Sequence, residues 1–110
     1  MAAMFIDLDG TCLKYHTNEW LPGVWDYLIE MAKNNTIIFV TMRAHGRDDN
    51  EIWNATATQK LIDTLPFNKM LILGVPWPRI IIDDFPPLAI HTAQDSADWV
   101  EHNPTNLTVQ

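Results

Sequence analysis

The sequence predicts a single α/β domain, spanning residues 1–110, that is built around a parallel β-sheet. Three continuous apolar runs, at residues 4–8, 36–41 and 70–73, have the length of buried strands, and segments with helical spacing separate them. A fourth apolar run, at residues 79–83, is predicted to be a further strand. Strands that alternate with helices are typical of a parallel sheet covered by helices, and 110 residues suffice for one core but not two.

The first helix is predicted to start near Pro22, a residue well suited to a first helical turn. Val24, Leu28 and Ala32 then recur at four-residue spacing, and the helix is expected to end at Asn34-Asn35. The segment before it, residues 10–21, lacks a clear period and is predicted to be a loop that can contain a short hairpin.

A second helix is predicted over residues 49–65, where Asp48 and Glu51 resemble a capping box and Pro66 stops the helix. The chain after residue 86 is weakly patterned. A short helix around residues 94–102, anchored by Trp99, is expected there.

The composition excludes several classes of protein. The formal net charge of −7 and the lack of a basic stripe give no signal for strong nucleic-acid binding. No apolar run approaches the ~20 residues needed to span a membrane, so no membrane partner is expected. Cys12 is the single cysteine, which favours a reducing compartment and a cytoplasmic location.

The most informative stretch is Asp7-Leu8-Asp9-Gly10-Thr11, which follows the first apolar run. Residues i and i+2 of a strand share one side, so the two carboxylates are expected to converge at its carboxyl end. Open α/β sheets bind their ligands at this edge. Thr41 and Asp83 end two further runs, so they are expected at the same edge.

In this order, Asp7–Thr11, Thr41 and Asp83-Asp84 resemble motifs I, II and IV of the haloacid dehalogenase (HAD) superfamily of Mg²⁺-dependent phosphatases. The resemblance covers residues 4–84. It implies a three-layer, Rossmann-like parallel sheet. It also implies hydrolysis of a phosphomonoester through an aspartyl-phosphate intermediate.

The resemblance also implies a role for each matching residue. Asp7 would be the nucleophile, and Asp9 would act as the general acid and base. Catalytic Thr41 would also bind phosphoryl oxygens. The expected substrate-binding residues are Gly10, Thr11, Thr41, Met42 and Arg43. The expected metal-binding residues are Asp7, Asp9, Asp83 and Asp84. The cofactor would be Mg²⁺, which prefers a few protein oxygens completed by water and phosphate.

One position departs from the family. A lysine in Gly-Lys-Pro usually offsets charge at the nucleophile, but this chain has Gly74-Val75-Pro76. Arg43, Arg79 and Lys69 are the candidate replacements. Arg79 is expected to begin the fourth strand at the opposite edge of the sheet, roughly 13 Å from Asp83. Arg43 lies on the correct edge and is therefore the favoured replacement.

The gaps between the motifs are too short for a cap domain, so the site is expected to be open. In the family, open sites suit large substrates or polymer ends, or sites closed by a partner. The domain has five tryptophans, a number that is compatible with an apolar face covered by a partner protein or by a second copy in an oligomer.

Two alternatives to the enzyme remain. The missing lysine favours a catalytically weak or inactive HAD-fold module that binds metal or phosphate. In the other alternative, the aspartates only form turns.

Overall fold

A three-stranded parallel sheet forms the centre of the fold. The computed structural model describes residues 1–44 and 54–101, and its strands lie in the order β1-β2-β3. In chain order the elements are β1 (Ala3–Asp7), α1 (Val24–Ala32), β2 (Thr36–Val40), α2 (Ala55–Asp63), β3 (Lys69–Ile72) and α3 (Asp98–Glu101). The prediction of an α/β fold with a parallel sheet is therefore confirmed.

β2 is the middle strand, and its burial follows from that position. It pairs with β1 through Phe5 and Ile38 and with β3 through Ile38 and Met70. Ile37, Ile38 and Phe39 are all buried, although neighbouring side chains point to opposite faces. A central parallel strand covered on both faces needs such a continuous apolar run.

One face of the sheet carries the hydrophobic core. Ile37 and Phe39 of β2 are fully buried in one cluster with Leu28 of α1 and Ile62 of α2. The other face is less covered in the part of the chain that the structure describes. There Phe5 is 57% exposed and Met70 is 55% exposed, on either side of Ile38.

The first helix agrees closely with its prediction. α1 begins after Gly23, whose φ of 80° reverses the chain just before the helix, so Pro22 precedes the first turn. At its other end Asn35 donates from its side-chain amide to the Met31 carbonyl at 2.9 Å. The predicted stop at Asn34-Asn35 is therefore confirmed, with a physical cause in this side-chain bond.

The second helix is shorter than predicted. Asn54 is extended and its side chain accepts a 2.7 Å hydrogen bond from the backbone N–H of Ala57, so α2 begins at Ala55 rather than at residue 49. The proposed capping box, Asp48 and Glu51, lies outside the described residues. The C-terminal helix is also shorter than expected: α3 spans Asp98–Glu101, and its Trp99 is buried as predicted.

The predicted fourth strand at residues 79–83 is wrong. This segment has no strand assignment, and Ile80 and Ile82 are 82% and 95% exposed. The physical reason lies at its start, where Arg79 Nη1 is 3.0 Å from Asp7 Oδ1. A parallel strand would have to begin at the opposite edge of the sheet, whereas this segment begins with a contact to the carboxyl end of β1.

The described part of the chain contains no cap domain between β1 and β2. A loop and α1 fill this interval, and the loop contains an antiparallel bridge between Leu13 and Trp20. The interval between β2 and β3 contains α2 and residues 45–53, which lie outside the described residues.

Candidate functional site

The carboxyl ends of β1 and β2 bring the first two motifs together. Asp7 is the last residue of β1 and pairs with Val40 of β2, so Thr41 lies one residue beyond this pair. Thr41 is fully buried, its N–H donates to the Ile72 carbonyl at 3.1 Å, and its carbonyl accepts from Val75 at 2.8 Å. These backbone bonds fix Thr41 at the edge where the sequence predicted it.

A tight turn after β1 returns the chain to the Asp7 carboxylate. The Leu8 carbonyl accepts hydrogen bonds from the N–H groups of Thr11, Cys12 and Leu13 at 2.9–3.1 Å. This turn places Thr11 Oγ1 3.1 Å from Asp7 Oδ2, to which it donates. Thr11 is therefore beside the proposed nucleophile.

Gly10 is required in this turn for two reasons. Its φ is +80°, which side chains with a Cβ rarely adopt, and a Cβ there would be 3.2 Å from Gln94 Cγ. The Gly10 carbonyl also accepts a 2.7 Å hydrogen bond from the N–H of Asp95. The turn is thus packed against the C-terminal segment.

Arg79 supplies a positive charge at Asp7. Its Nη1 donates to Asp7 Oδ1 at 3.0 Å, and its Nη2 donates to the Val75 carbonyl at 3.3 Å. The side chains of Arg79 and Asp7 are 27% and 31% exposed, so water screens this ion pair only in part. The Arg79 guanidinium therefore lies next to the carboxylate that the sequence predicts to be the nucleophile.

This arrangement corrects the sequence-based ranking of the three replacement cations. Arg43 was favoured for the charge at Asp7 and Arg79 was placed at the far edge, yet it is Arg79 that contacts Asp7. The third candidate, Lys69, donates from Nζ to the Leu65 carbonyl at 2.9 Å.

Arg43 pairs instead with Asp9. Its Nε and Nη2 donate to the two carboxylate oxygens of Asp9 at 2.9 and 2.8 Å, a bidentate ion pair. The Arg43 side chain is 1% exposed and that of Asp9 is 18% exposed. Each aspartate of the Asp-x-Asp motif therefore has its own arginine.

The motif IV aspartates lie elsewhere. Asp83 is fully exposed, and its Oδ1 accepts a 3.1 Å hydrogen bond from the N–H of Phe85. That hydrogen bond, with a smaller contribution from hydrogen bonding to Asp84, lowers the pKa of Asp83. Within residues 1–44 and 54–101, no group of three or more His, Cys, Asp or Glu side chains is placed to bind a metal ion.

The predicted magnesium set was tested against this donor arrangement. Asp7 and Asp9 supply carboxylates at the expected edge, but both are bound by guanidinium groups. Asp83 and Asp84 do not join them in a group of three. As placed, the four aspartates do not fit the expected Mg²⁺ site.

Sequence reasoning missed the residues that buttress the site from a distance. The Asp95 side chain accepts from the N–H of Tyr15, and Trp99 Nε1 donates to the Thr11 carbonyl at 3.0 Å. The Trp99 ring also packs edge-on against Tyr27, with the ring centroids 5.0 Å apart. The isolated Trp99 in a weakly patterned tail was the available signal, whereas nothing in the sequence marks Asp95.

Cys12 and Met42 are two further residues close to Asp7 and Thr41 in the chain. Cys12 is fully buried, and burial, followed by the nearby Asp7 charge, raises the pKa of its thiol. Such a thiol is a packing residue with little nucleophilic character. Met42, which the resemblance places in the substrate-binding set, follows Thr41 and is 51% exposed, so this part of the edge is open to solvent.

No family model, curated protein or solved structure matches this chain. None of the helices within the described residues has the length and apolar character needed to cross a bilayer.

The charged side chains at this edge, and the contacts between them, determine which chemistry the edge can carry out. Asp7 presents a carboxylate between a hydroxyl donor, Thr11, and a guanidinium, Arg79. A second carboxylate, Asp9, lies two residues away and is fixed by Arg43. Two carboxylates with distinct cationic partners can divide a nucleophilic role and an acid–base role.

Proposed function

We propose that this chain is a capless, HAD-like phosphomonoester hydrolase in which Asp7 forms an aspartyl-phosphate intermediate. The proposal includes a three-layer, Rossmann-like core and Mg²⁺ as the cofactor that the resemblance implies. The substrate would be a phosphorylated molecule that an open site admits, including a large molecule or a polymer end. The proposed location is the cytoplasm, where Cys12 stays reduced.

The observation that carries this proposal is the contact between Arg79 and Asp7, with Nη1 and Oδ1 3.0 Å apart. A phosphate dianion is repelled by carboxylates, so a phosphatase with an aspartate nucleophile needs positive charge beside it. Val75 cannot provide that charge from the family's usual position. Arg79 provides it from four residues further along, which removes the main objection to an active enzyme.

In the proposed first step, an Asp7 carboxylate oxygen attacks phosphorus while the bond to the leaving oxygen breaks. Asp9 gives its proton to that oxygen, which departs as an alcohol. Water then attacks the phosphorus of the aspartyl-phosphate, and Asp9 takes the proton of that water. The P–O bond to Asp7 breaks, so Asp7 and inorganic phosphate are released.

The remaining residues would stabilise the phosphoryl oxygens. Arg79 presents several N–H donors in a planar fork, which suits phosphate oxygens. Thr41 and the backbone N–H group of Met42 are the further proposed donors, at the same edge. Phosphoryl transfer depends mainly on such positioning and charge stabilisation.

The experiment that tests this proposal is run with and without Mg²⁺, because the aspartates as placed do not complete the expected Mg²⁺ site. When bound, the metal would supply further positive charge to the phosphoryl group. None of the steps above is derived through it.

The second candidate is a binding module that holds phosphate or metal without turnover. One observation favours it: both Asp7 and Asp9 are bound by guanidinium groups, while Asp83 lies exposed outside the site. A nucleophile tied to an arginine and a third acidic residue held away are consistent with a degenerate active site.

The deciding experiment measures thermal unfolding and hydrolysis together. Wild type, Asp7→Asn and the control Asp26→Asn, an exposed position on α1, are heated with and without Mg²⁺ and beryllofluoride, which mimics an aspartyl-phosphate. A ligand present at a hundred times its Kd adds about 2.7 kcal/mol to the unfolding free energy. Hydrolysis of p-nitrophenyl phosphate is followed in parallel.

We expect beryllofluoride to stabilise wild type and Asp26→Asn but not Asp7→Asn, and hydrolysis to require Asp7. Beryllofluoride binding through Asp7 without any hydrolysis would favour the binding module. A response that is equal in wild type and Asp7→Asn, with no hydrolysis, would refute both candidates.

A further inference from the structure

Arg43 has a buried guanidinium that donates hydrogen bonds to Asp9 and to the loop after β1. Two of its nitrogens bind the two oxygens of Asp9 at 2.9 and 2.8 Å. Its Nη1 donates to Asn18 Oδ1 at 2.7 Å, and its Nη2 also donates to the Thr17 carbonyl at 2.8 Å. The side chain is therefore a bridge between Asp9 and residues 17–18.

The burial of Arg43 decides what this side chain can do. It is 1% exposed, whereas the Arg79 side chain is 27% exposed. A buried guanidinium is costly unless its N–H groups are paired, and here each of the three nitrogens has an acceptor. A substrate that bound Arg43 would have to break this paired, buried arrangement, so Arg79 is the more accessible of the two arginines.

The bidentate geometry fixes the orientation of the Asp9 carboxylate. A carboxylate that is free to rotate about its last side-chain torsion presents its oxygens in many directions. A planar guanidinium fork that binds both oxygens holds the carboxylate in one orientation. A carboxylate has about four lone-pair sites, and the fork with Arg43 uses two of them. The other sites of Asp9 remain available to carry a proton.

We propose that Arg43 is a positioning residue for proton transfer by Asp9 and does not bind substrate. This inference rests on the proposed function, and it differs from the resemblance, which places Arg43 in the substrate-binding set. Arg43 orients the Asp9 carboxylate toward the leaving oxygen, and the bonds to Thr17 and Asn18 fix the guanidinium itself. Its effect on catalysis therefore passes through Asp9.

The test compares two substrates that differ in their need for a proton. The nitrophenolate of p-nitrophenyl phosphate departs without protonation, whereas the alkoxide of glycerol phosphate requires a general acid. The kcat/KM of each substrate, which includes departure of the leaving group, is measured for wild type, Arg43→Lys, Asp9→Asn and the double variant. Lys33→Gln is the control, since its ion pair with Glu30 is exposed.

We expect Arg43→Lys to lower kcat/KM for glycerol phosphate by about 10- to 100-fold, a part of the ~10²–10⁴-fold that general acid catalysis contributes. The same variant should change kcat/KM for p-nitrophenyl phosphate by less than about threefold, because that leaving group needs no proton. Adding Arg43→Lys to Asp9→Asn should cause no further loss, since the positioned group is already absent. Lys33→Gln should behave like wild type.

Asn18→Ala is the second variant, because Asn18 is exposed and its removal leaves the buried ion pair in place. It should show the same selectivity for glycerol phosphate with a smaller loss. Should Arg43→Lys fail to fold, as judged by circular dichroism, Asn18→Ala alone and with Asp9→Asn decides the question.

Three other results would overturn the inference. An equal loss on both substrates would show that Arg43 binds the phosphoryl group. A loss of undiminished size in the Asp9→Asn background would show that Arg43 acts independently of Asp9. If wild type hydrolyses neither substrate, the proposed function itself fails, and the role of Arg43 in proton transfer fails with it.

Discussion

Replacing Arg79 with methionine tests whether this residue supplies the charge missing at Val75. The substitution keeps a long flexible side chain but removes the guanidinium that contacts Asp7 at 3.0 Å. It also removes the 3.3 Å hydrogen bond to the Val75 carbonyl. Stability and catalysis should respond to very different extents, and this difference makes the variant informative.

The expected loss of stability follows from the exposure of the ion pair. Exposed pairs contribute about 0–1 kcal/mol, and breaking a fully buried pair costs about 3–5 kcal/mol. The Arg79 and Asp7 side chains are 27% and 31% exposed, so Arg79→Met should lower the unfolding free energy by about 1–2 kcal/mol. In a domain of this size that lowers Tm by about 5–10 °C.

The expected loss of activity is larger. Removing one donor that stabilises developing charge in a transition state lowers kcat by about 10²–10³-fold. Hydrolysis of p-nitrophenyl phosphate and differential scanning fluorimetry should be measured on the same samples, below the Tm of the variant. Lys60→Met, at an exposed position on α2, is the matched control and should leave both quantities unchanged.

Two results would refute this reasoning. Full activity combined with a lower Tm would show that Arg79 is only a structural tie between Asp7 and residue 75. An unchanged Tm combined with full activity would show that the ion pair contributes nothing in solution.

Three further predictions follow from the same contacts. Val75→Lys should restore part of the activity lost in Arg79→Met, measured by p-nitrophenyl phosphate hydrolysis, because it returns a cation to the family's usual position; no recovery would show that position 75 cannot reach the site. Gly10→Ala should lower the unfolding free energy by about 1–2 kcal/mol in urea denaturation, since φ is +80° and a Cβ would crowd Gln94; an unchanged urea midpoint would contradict this. Burial, followed by the influence of Cys12, raises the pKa of Tyr27 from 10.0 to about 12. The stability due to its neutral phenol is therefore complete below pH 10 and is lost as pH rises to about 12. Denaturant titrations across this range, with phenolate absorbance, check this pH dependence, and ionisation of Tyr27 in the folded protein at the ordinary tyrosine pKa would disprove it.

Much of the sheet could be predicted from the sequence because its signals are local. The run at residues 36–41 is continuously apolar, as a strand buried on both faces must be, and the structure ends this strand at Val40. α1 was predicted from four-residue spacing and from Asn35, whose side chain binds the last turn. In both cases the residues that define the element also carry the contacts that stabilise it.

The fourth strand could not be judged in this way, because a long-range contact decides it. Residues 80–82 are three consecutive isoleucines, so composition favours a strand there as it does in β2. What differs is the position of Arg79, which contacts a residue 72 positions earlier in the chain. Local patterns carry no information about such a contact.

The residues of the candidate site also differ in whether local sequence signals could predict their positions. The sequence predicts Asp7 and Thr41 at one edge of the sheet, and the structure places them there because the topology of parallel strands fixes both. The assignment of the two arginines was wrong because it relied on distance along an assumed strand. Sequence position could place Arg43 at the right edge, but it could not show which aspartate the guanidinium would face.

The pairing of each arginine with its own aspartate balances charge at the site. The protein has 14 acidic and 7 basic residues, so no more than half of the carboxylates can each have a lysine or arginine of their own. Even so, both aspartates of the Asp-x-Asp motif are matched, Asp9 by a buried guanidinium and Asp7 by a partly exposed one. The difference in exposure assigns different tasks: a buried cation can only orient its carboxylate, whereas an accessible cation can also meet an incoming phosphate. A dianion approaching this acidic protein would therefore meet an accessible positive charge beside Asp7, where the proposed chemistry begins.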